Sequence, residues 1–164
     1  MNTLAARNQF RNGLMALVDR NYAEAAEFFR AAMDAERNLS EAGRCKARSL
    51  SYHGLSLALA DRPTRQAIEA CEMAVRADPD DPDLHLNLGR VLALAGRKTR
   101  ALAAFGAGLA LNPDHRGLQA EAAKIDRRKR PVVPFLSRSH PLNYGLGKLK
   151  AALRRPVGTL RQTT

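Results

Sequence analysis

Apolar residues return at three- and four-residue steps along most of the first 126 positions, in short blocks separated by turn residues. After Asp81-Pro82, the side chains Leu84, Leu88 and Leu92 recur at four-residue steps, so the spacing predicts a helix over about 82–95. Asp81 is its expected N-cap and Pro82 its first helical residue, where a missing N–H costs nothing. Gly96 suits a chain reversal, and Leu102, Phe105 and Leu109 make a second stripe over 98–111 that Asn112-Pro113 ends. These two segments form one antiparallel hairpin. The same reasoning predicts helices over about 47–60 and 63–77, the second ended by Asp78-Pro79, and over about 4–18 and 22–37; Pro63 falls in a first turn, where it is tolerated.

The three hairpins share a spaced pattern. Gly13 is followed by Ala25, Phe29 and Ala32, and Gly89 by Ala101, Phe105 and Gly108, at identical offsets. Gly54 is followed by Ala67, Cys71 and Ala74, each one residue later, so a single residue has been inserted before the triplet. Each glycine is expected to let the second helix of its hairpin approach closely, with Ala25, Ala67 and Ala101 answering it and Phe29 and Phe105 filling the space beneath. The distance from Gly13 to Gly54 exceeds that from Gly54 to Gly89, and the excess lengthens the join between the first two hairpins, where Ser40 is the best N-cap for a long helix reaching Ala60.

The segment LNLGRVLALAGRKTRALAAFGAGLALNPD resembles the tetratricopeptide repeat. Leu88-Gly89, Leu92, Ala101, Phe105 and Pro113 stand at signature positions, with His85 where tryptophan is usual and Gly108 where alanine is usual. The second repeat keeps Gly54, Leu57, Ala67, Ala74 and Pro79, with Cys71 for the aromatic and His53 for the leucine; the first keeps Gly13, Tyr22, Ala25, Phe29 and Ala32, with Arg37 where the closing proline belongs. The resemblance implies an all-α fold, a right-handed superhelical stack of about three helix hairpins over 4–38, 40–79 and 80–114. A capping helix over about 115–129, with Leu118, Ala122 and Ile125 inward, completes a repeat domain of residues 1–130.

Charge separates this domain from the C-terminal part of the chain. Residues 1–126 hold nearly equal numbers of basic and acidic side chains, whereas 127–164 contain ten Lys or Arg and no acid, so nearly all of the net charge of +11 belongs to the tail. Pro131 and Pro134 impose an extended stretch, and Leu142, Leu146, Leu149 and Leu153 predict a short amphipathic helix over about 142–154. Residues 131–164 are therefore expected to be a basic extension. No run of about 18 apolar residues is present, and Arg7 with its polar neighbours interrupts the N-terminus where a leader needs apolar residues, which points to the cytoplasm.

Nothing in the sequence reads as catalytic machinery. The histidines His53, His85, His115 and His140 lack metal-site spacing, Cys45 and Cys71 form no paired motif, and the acidic run at 78–83 is explained by helix capping and its prolines. No cofactor is expected. The resemblance implies instead a groove lined by the first helix of each hairpin, carrying Arg7, Phe10, Leu14 and Leu17, then Arg48, Ser51, Tyr52 and Leu55, then Asp83, Leu86, Asn87 and Arg90. That groove is apolar with a basic rim and suits a peptide or amphipathic helix of a protein partner. The tail's Val132, Val133, Phe135 and Leu136 offer such a ligand in cis. An alternative gives the tail to an anionic membrane surface or nucleic acid, through Arg127, Arg128, Lys129, Arg130, Lys148, Lys150, Arg154 and Arg155. Exposed ends of so short an array would also allow a homodimer.

Overall fold

The computed structural model describes residues 2–37, 43–61 and 63–126. They form seven helices: α1 (Asn2–Val18), α2 (Tyr22–Glu36), α3 (Gly43–Ala60), α4 (Arg65–Ala77), α5 (Pro82–Leu94), α6 (Lys98–Leu111) and α7 (Arg116–Asp126). Residues 1–125 make one compact unit. The basic cluster from Arg127 to Arg130, the predicted helix over 142–154, Lys148, Lys150, Arg154, Arg155 and the N-cap assigned to Ser40 lie outside the described residues.

Helices α1 and α2 pair as a hairpin, as do α3 and α4, and α5 and α6. The turns of the first and third hairpins are the same object. In the first, the Arg20 N–H donates to the Leu17 carbonyl and the Asn21 N–H to the Ala16 carbonyl; in the third, Gly96 donates to Ala93 and Arg97 to Leu92. This paired closure satisfies carbonyls that a helix end otherwise leaves open, and it needs a left-handed residue just past the end. Gly96 supplies that conformation with φ 73°, and Arg20 adopts it with φ 62° despite its side chain.

In the middle hairpin the second helix begins differently. Thr64 is the N-cap of α4, its hydroxyl accepting the Ala67 N–H at 3.2 Å, so Pro63 stands one residue before the cap and not in the first turn. Capping by the hydroxyl outweighs a first-turn proline because it satisfies a donor that proline can only omit. The N-cap of α5 is Asp81, whose Oδ1 accepts the Asp83 N–H at 3.0 Å, with Pro82 next. His115 serves α7 in the same way, its Nδ1 accepting the Leu118 N–H at 3.2 Å.

The glycines meet the aromatic rings directly. A Cβ on Gly13 would stand 2.8 Å from the Phe29 ring, and one on Gly89 would overlap the Phe105 ring. At Gly54 the obstacles are the Ala67 carbonyl oxygen and Cys71 Sγ. Cys71 thus takes the aromatic's place, and its smaller side chain lets the α4 backbone itself close on α3. Gly108 replaces the usual alanine because Leu118 and His85 fill the room a methyl would need. Leu118 is wholly buried and joins α7 to a core of Leu55, Ile68, Leu86, Leu92 and Phe105.

Candidate functional site

The first helices of the hairpins and α7 are linked in series by side chains. Between α1 and α3, Phe10 meets Tyr52 edge-on at 5.5 Å between ring centroids, while Phe29 from α2 lies 5.4 Å from both rings. Aromatic arrangements of this kind add about 1 kcal/mol each beyond their burial. Phe10, Leu14, Leu17 and Tyr52 pack around the buried Phe29 yet keep part of their surface accessible. Burial, and then the negative charge of Asp83, push the Tyr52 phenol above its ordinary range, so it remains a neutral O–H at physiological pH.

From α3 onward the links become polar. Arg48 Nε donates to Asp81 Oδ2 at 2.6 Å, and this hydrogen bond raises the guanidinium pKa further. Deeper in the same seam, Asn87 Nδ2 donates to Ser51 Oγ at 3.2 Å, and the Cys71 thiol donates to the Ser51 carbonyl at 3.4 Å. Burial pushes that thiol up to about 12, which makes it a packing group and not a nucleophile. Between α5 and α7, Arg90 Nε donates to Glu121 Oε1 at 3.1 Å, and Lys124 shares the same oxygen. His115 Nε2 lies 3.0 Å from Asp83 Oδ1; since Nδ1 accepts the Leu118 N–H, the ring proton sits on Nε2 and is donated to Asp83.

The groove residues expected from sequence therefore fall into two sets. Leu55, Leu86 and Asn87 are inside, the last only 1% exposed, and hold the helices together. Arg7, Phe10, Leu14, Arg48, Tyr52 and Arg90 present surface, but Arg48 and Arg90 are already paired within the chain. Sequence reasoning did not foresee the acids that hold them, or His115 and Glu121 from α7. Their partners lie some thirty residues away, beyond the reach of any local pattern.

On another side, a hollow of about 660 Å³ opens between α2 and α3, lined by Arg30, Met33, Asp34, Arg37, Lys46, Leu50 and His53. Arg30 and Arg37 there are paired with Glu27 and Asp34, and the His53 Nδ1–H donates to the Ala26 carbonyl. Among the described residues, no His, Cys, Asp and Glu are grouped as a metal site, and no helix is long and apolar enough to cross a membrane.

Residues 58–125, from the end of α3 through α7, match the family model for the tetratricopeptide repeat. Among solved structures, the chain is similar to the Arabidopsis OM64 TPR domain, with a TM-score of 0.62 at 18% identity, covering 78% of this chain and 99% of that one. No curated protein matches it. A glycine opposed by Phe29, Cys71 or Phe105 in three successive hairpins, the family-model match over 58–125 and the fold likeness over most of the chain give this chain a tetratricopeptide-repeat fold.

Proposed function

We propose that the protein binds a peptide or helix of a protein partner along the face formed by α1, α3, α5 and α7. The fold class is that of a protein-interaction scaffold, generally without enzymatic activity. The observation that carries the reading is the accessible apolar surface of Phe10, Leu14 and Tyr52 at one end of that face, beside ion-paired Arg48 and Arg90 along the rest. Such a face suits an amphipathic segment. One large apolar side chain would sit against the α1–α3 aromatics, and the polar side would exchange hydrogen bonds with guanidiniums already engaged by acids of the chain. An apolar anchor of that size contributes roughly 1.5–3 kcal/mol on burial, so the α1–α3 end should dominate affinity.

Selection of displayed peptides on the intact chain tests this. Binders should carry an apolar anchor and lose at least about tenfold in affinity with Leu14→Glu, while Met73→Glu on the exposed side of α4 leaves them unchanged. Binders indifferent to Leu14→Glu would overturn the reading. The chain's own segment 131–155 has the same apolar character, so truncation after Lys129 serves as a second arm: tighter peptide binding on truncation means that the tail competes for the face.

A further inference from the structure

The outer face of α6 departs from those of α2 and α4 in a way the fold itself does not require. In the shared repeat register, α2 presents Glu27, Arg30, Ala31 and Asp34 to solvent, and α4 presents Glu69, Glu72, Met73 and Arg76. Several of these are paired: Glu27 with Arg30, Glu69 with Arg65, and Glu72 with Arg100. At the same register positions α6 has Ala103, Gly106, Ala107 and Ala110. No charged or polar side chain occurs from Ala101 through Leu111, and Leu102 and Leu111 are 36% and 43% exposed. A helix apolar on every side is normally covered on every side.

Gly106 sharpens the point. A Cβ there would meet nothing within 4 Å, and glycine inside a helix is less stable than alanine. Packing among the described residues gives no reason for it, whereas close approach of another helix does.

We infer that this face of α6 packs against the same face of a second copy, in an antiparallel pair centred on Gly106. The pattern is complementary to itself under the two-fold axis such a pair requires. With Gly106 opposite Gly106, Leu102 and Ala110 stand four residues to either side, so each leucine faces the other copy's alanine, large against small. Lys98 opens α6 and Asp114 follows its last residue by three, so the two charges mark opposite ends of the helix. Neither forms an ion pair among the described residues, and the antiparallel register brings each to the other copy's opposite charge, twice. A membrane surface or an unrelated helix has no use for this symmetry.

Light scattering and sedimentation on the intact chain, from low to high micromolar concentration, test the inference. A concentration-dependent dimer is expected. Gly106→Gln should weaken it at least about tenfold while keeping the thermal melt cooperative and unchanged or raised at concentrations where the chain is monomeric, since the added side chain there enters open space. Lys98→Asp and Asp114→Lys should each weaken it, and the two reversals together should restore it. Lack of any dimer overturns the inference, and so does a dimer unaffected by Gly106→Gln, by the single reversals, or not rescued by the double one. None of these variants touches the α1–α3 face, so this outcome is separate from that of peptide binding.

Discussion

Arg48 and Asp81 lie 33 residues apart and meet at 2.6 Å, joining α3 to the start of α5. Asp81 divides its carboxylate between two tasks: Oδ2 takes the guanidinium, and Oδ1 caps α5 through the Asp83 N–H. The two can be separated. Asp81→Asn keeps a good cap acceptor and a hydrogen-bonding oxygen for a guanidinium that is half exposed, so urea unfolding should shift by about 1 kcal/mol. Asp81→Ala removes both and should cost about 1–2 kcal/mol.

Two glycines that look alike in sequence should respond in opposite directions. A methyl on Gly54 would come within 2.8 Å of the Ala67 carbonyl oxygen and 2.9 Å of Cys71 Sγ, and the backbone oxygen cannot step aside. Gly54→Ala should destabilise by about 1–3 kcal/mol. Gly106→Ala has free space in the single chain and removes the conformational freedom of a mid-helix glycine, so at concentrations where the chain is monomeric it should stabilise by roughly 0.5–1 kcal/mol. Thermal melts of the two variants check both signs.

Arg20 occupies in the first hairpin the left-handed position that Gly96 occupies in the third. Replacing Arg20 by glycine should relieve the steric cost of that conformation, partly offset by a more flexible unfolded chain, for a net gain of about 0.5–1 kcal/mol. Gly96→Ala should lose a similar amount. Chemical denaturation of the pair measures whether the two turns are energetically equivalent.

Glu36 gives the protein a pH dependence of defined sign. Its side chain is 4% exposed; Oε1 accepts from Ser49 at 3.3 Å, while Oε2 has no hydrogen-bond partner among the described residues. Burial raises its pKa above the usual carboxylate value, so the folded state holds the proton more tightly than the unfolded one. Its contribution is therefore fully present below the unfolded pKa and is lost as pH rises through the folded value. Glu36→Gln should flatten the decline in melting temperature from acidic to neutral pH and raise the melting temperature at pH 7. A steeper decline in the variant would contradict this.

What could be read from sequence and what could not divides by distance along the chain. Asp81-Pro82, Gly96 and Asn112-Pro113 mark helix ends because each acts on its own neighbours, and the structure has those ends. The spacing of Gly13 to Phe29 and of Gly89 to Phe105 was legible because helix geometry fixes which residues meet across a tight hairpin. Arg20 was not, since nothing in its side chain announces a left-handed backbone. The links Ser51–Asn87, Arg48–Asp81 and Arg90–Glu121 join different repeats, and only the packed stack chooses those partners. From sequence the inner face reads as apolar with a basic rim, whereas Arg48 and Arg90 are ion-paired in place and the apolar part gathers at Phe10, Leu14 and Tyr52.

The most direct measurement of the binding role is site-specific photo-crosslinking of the intact protein in its native cell. A crosslinking side chain at Leu14 on the inner face is compared with one at Met73, which is exposed on α4. Discrete adducts with a protein partner at position 14, suppressed by a selected peptide, and none at position 73 are the predicted result. Adducts at position 73 with none at position 14 would contradict the account.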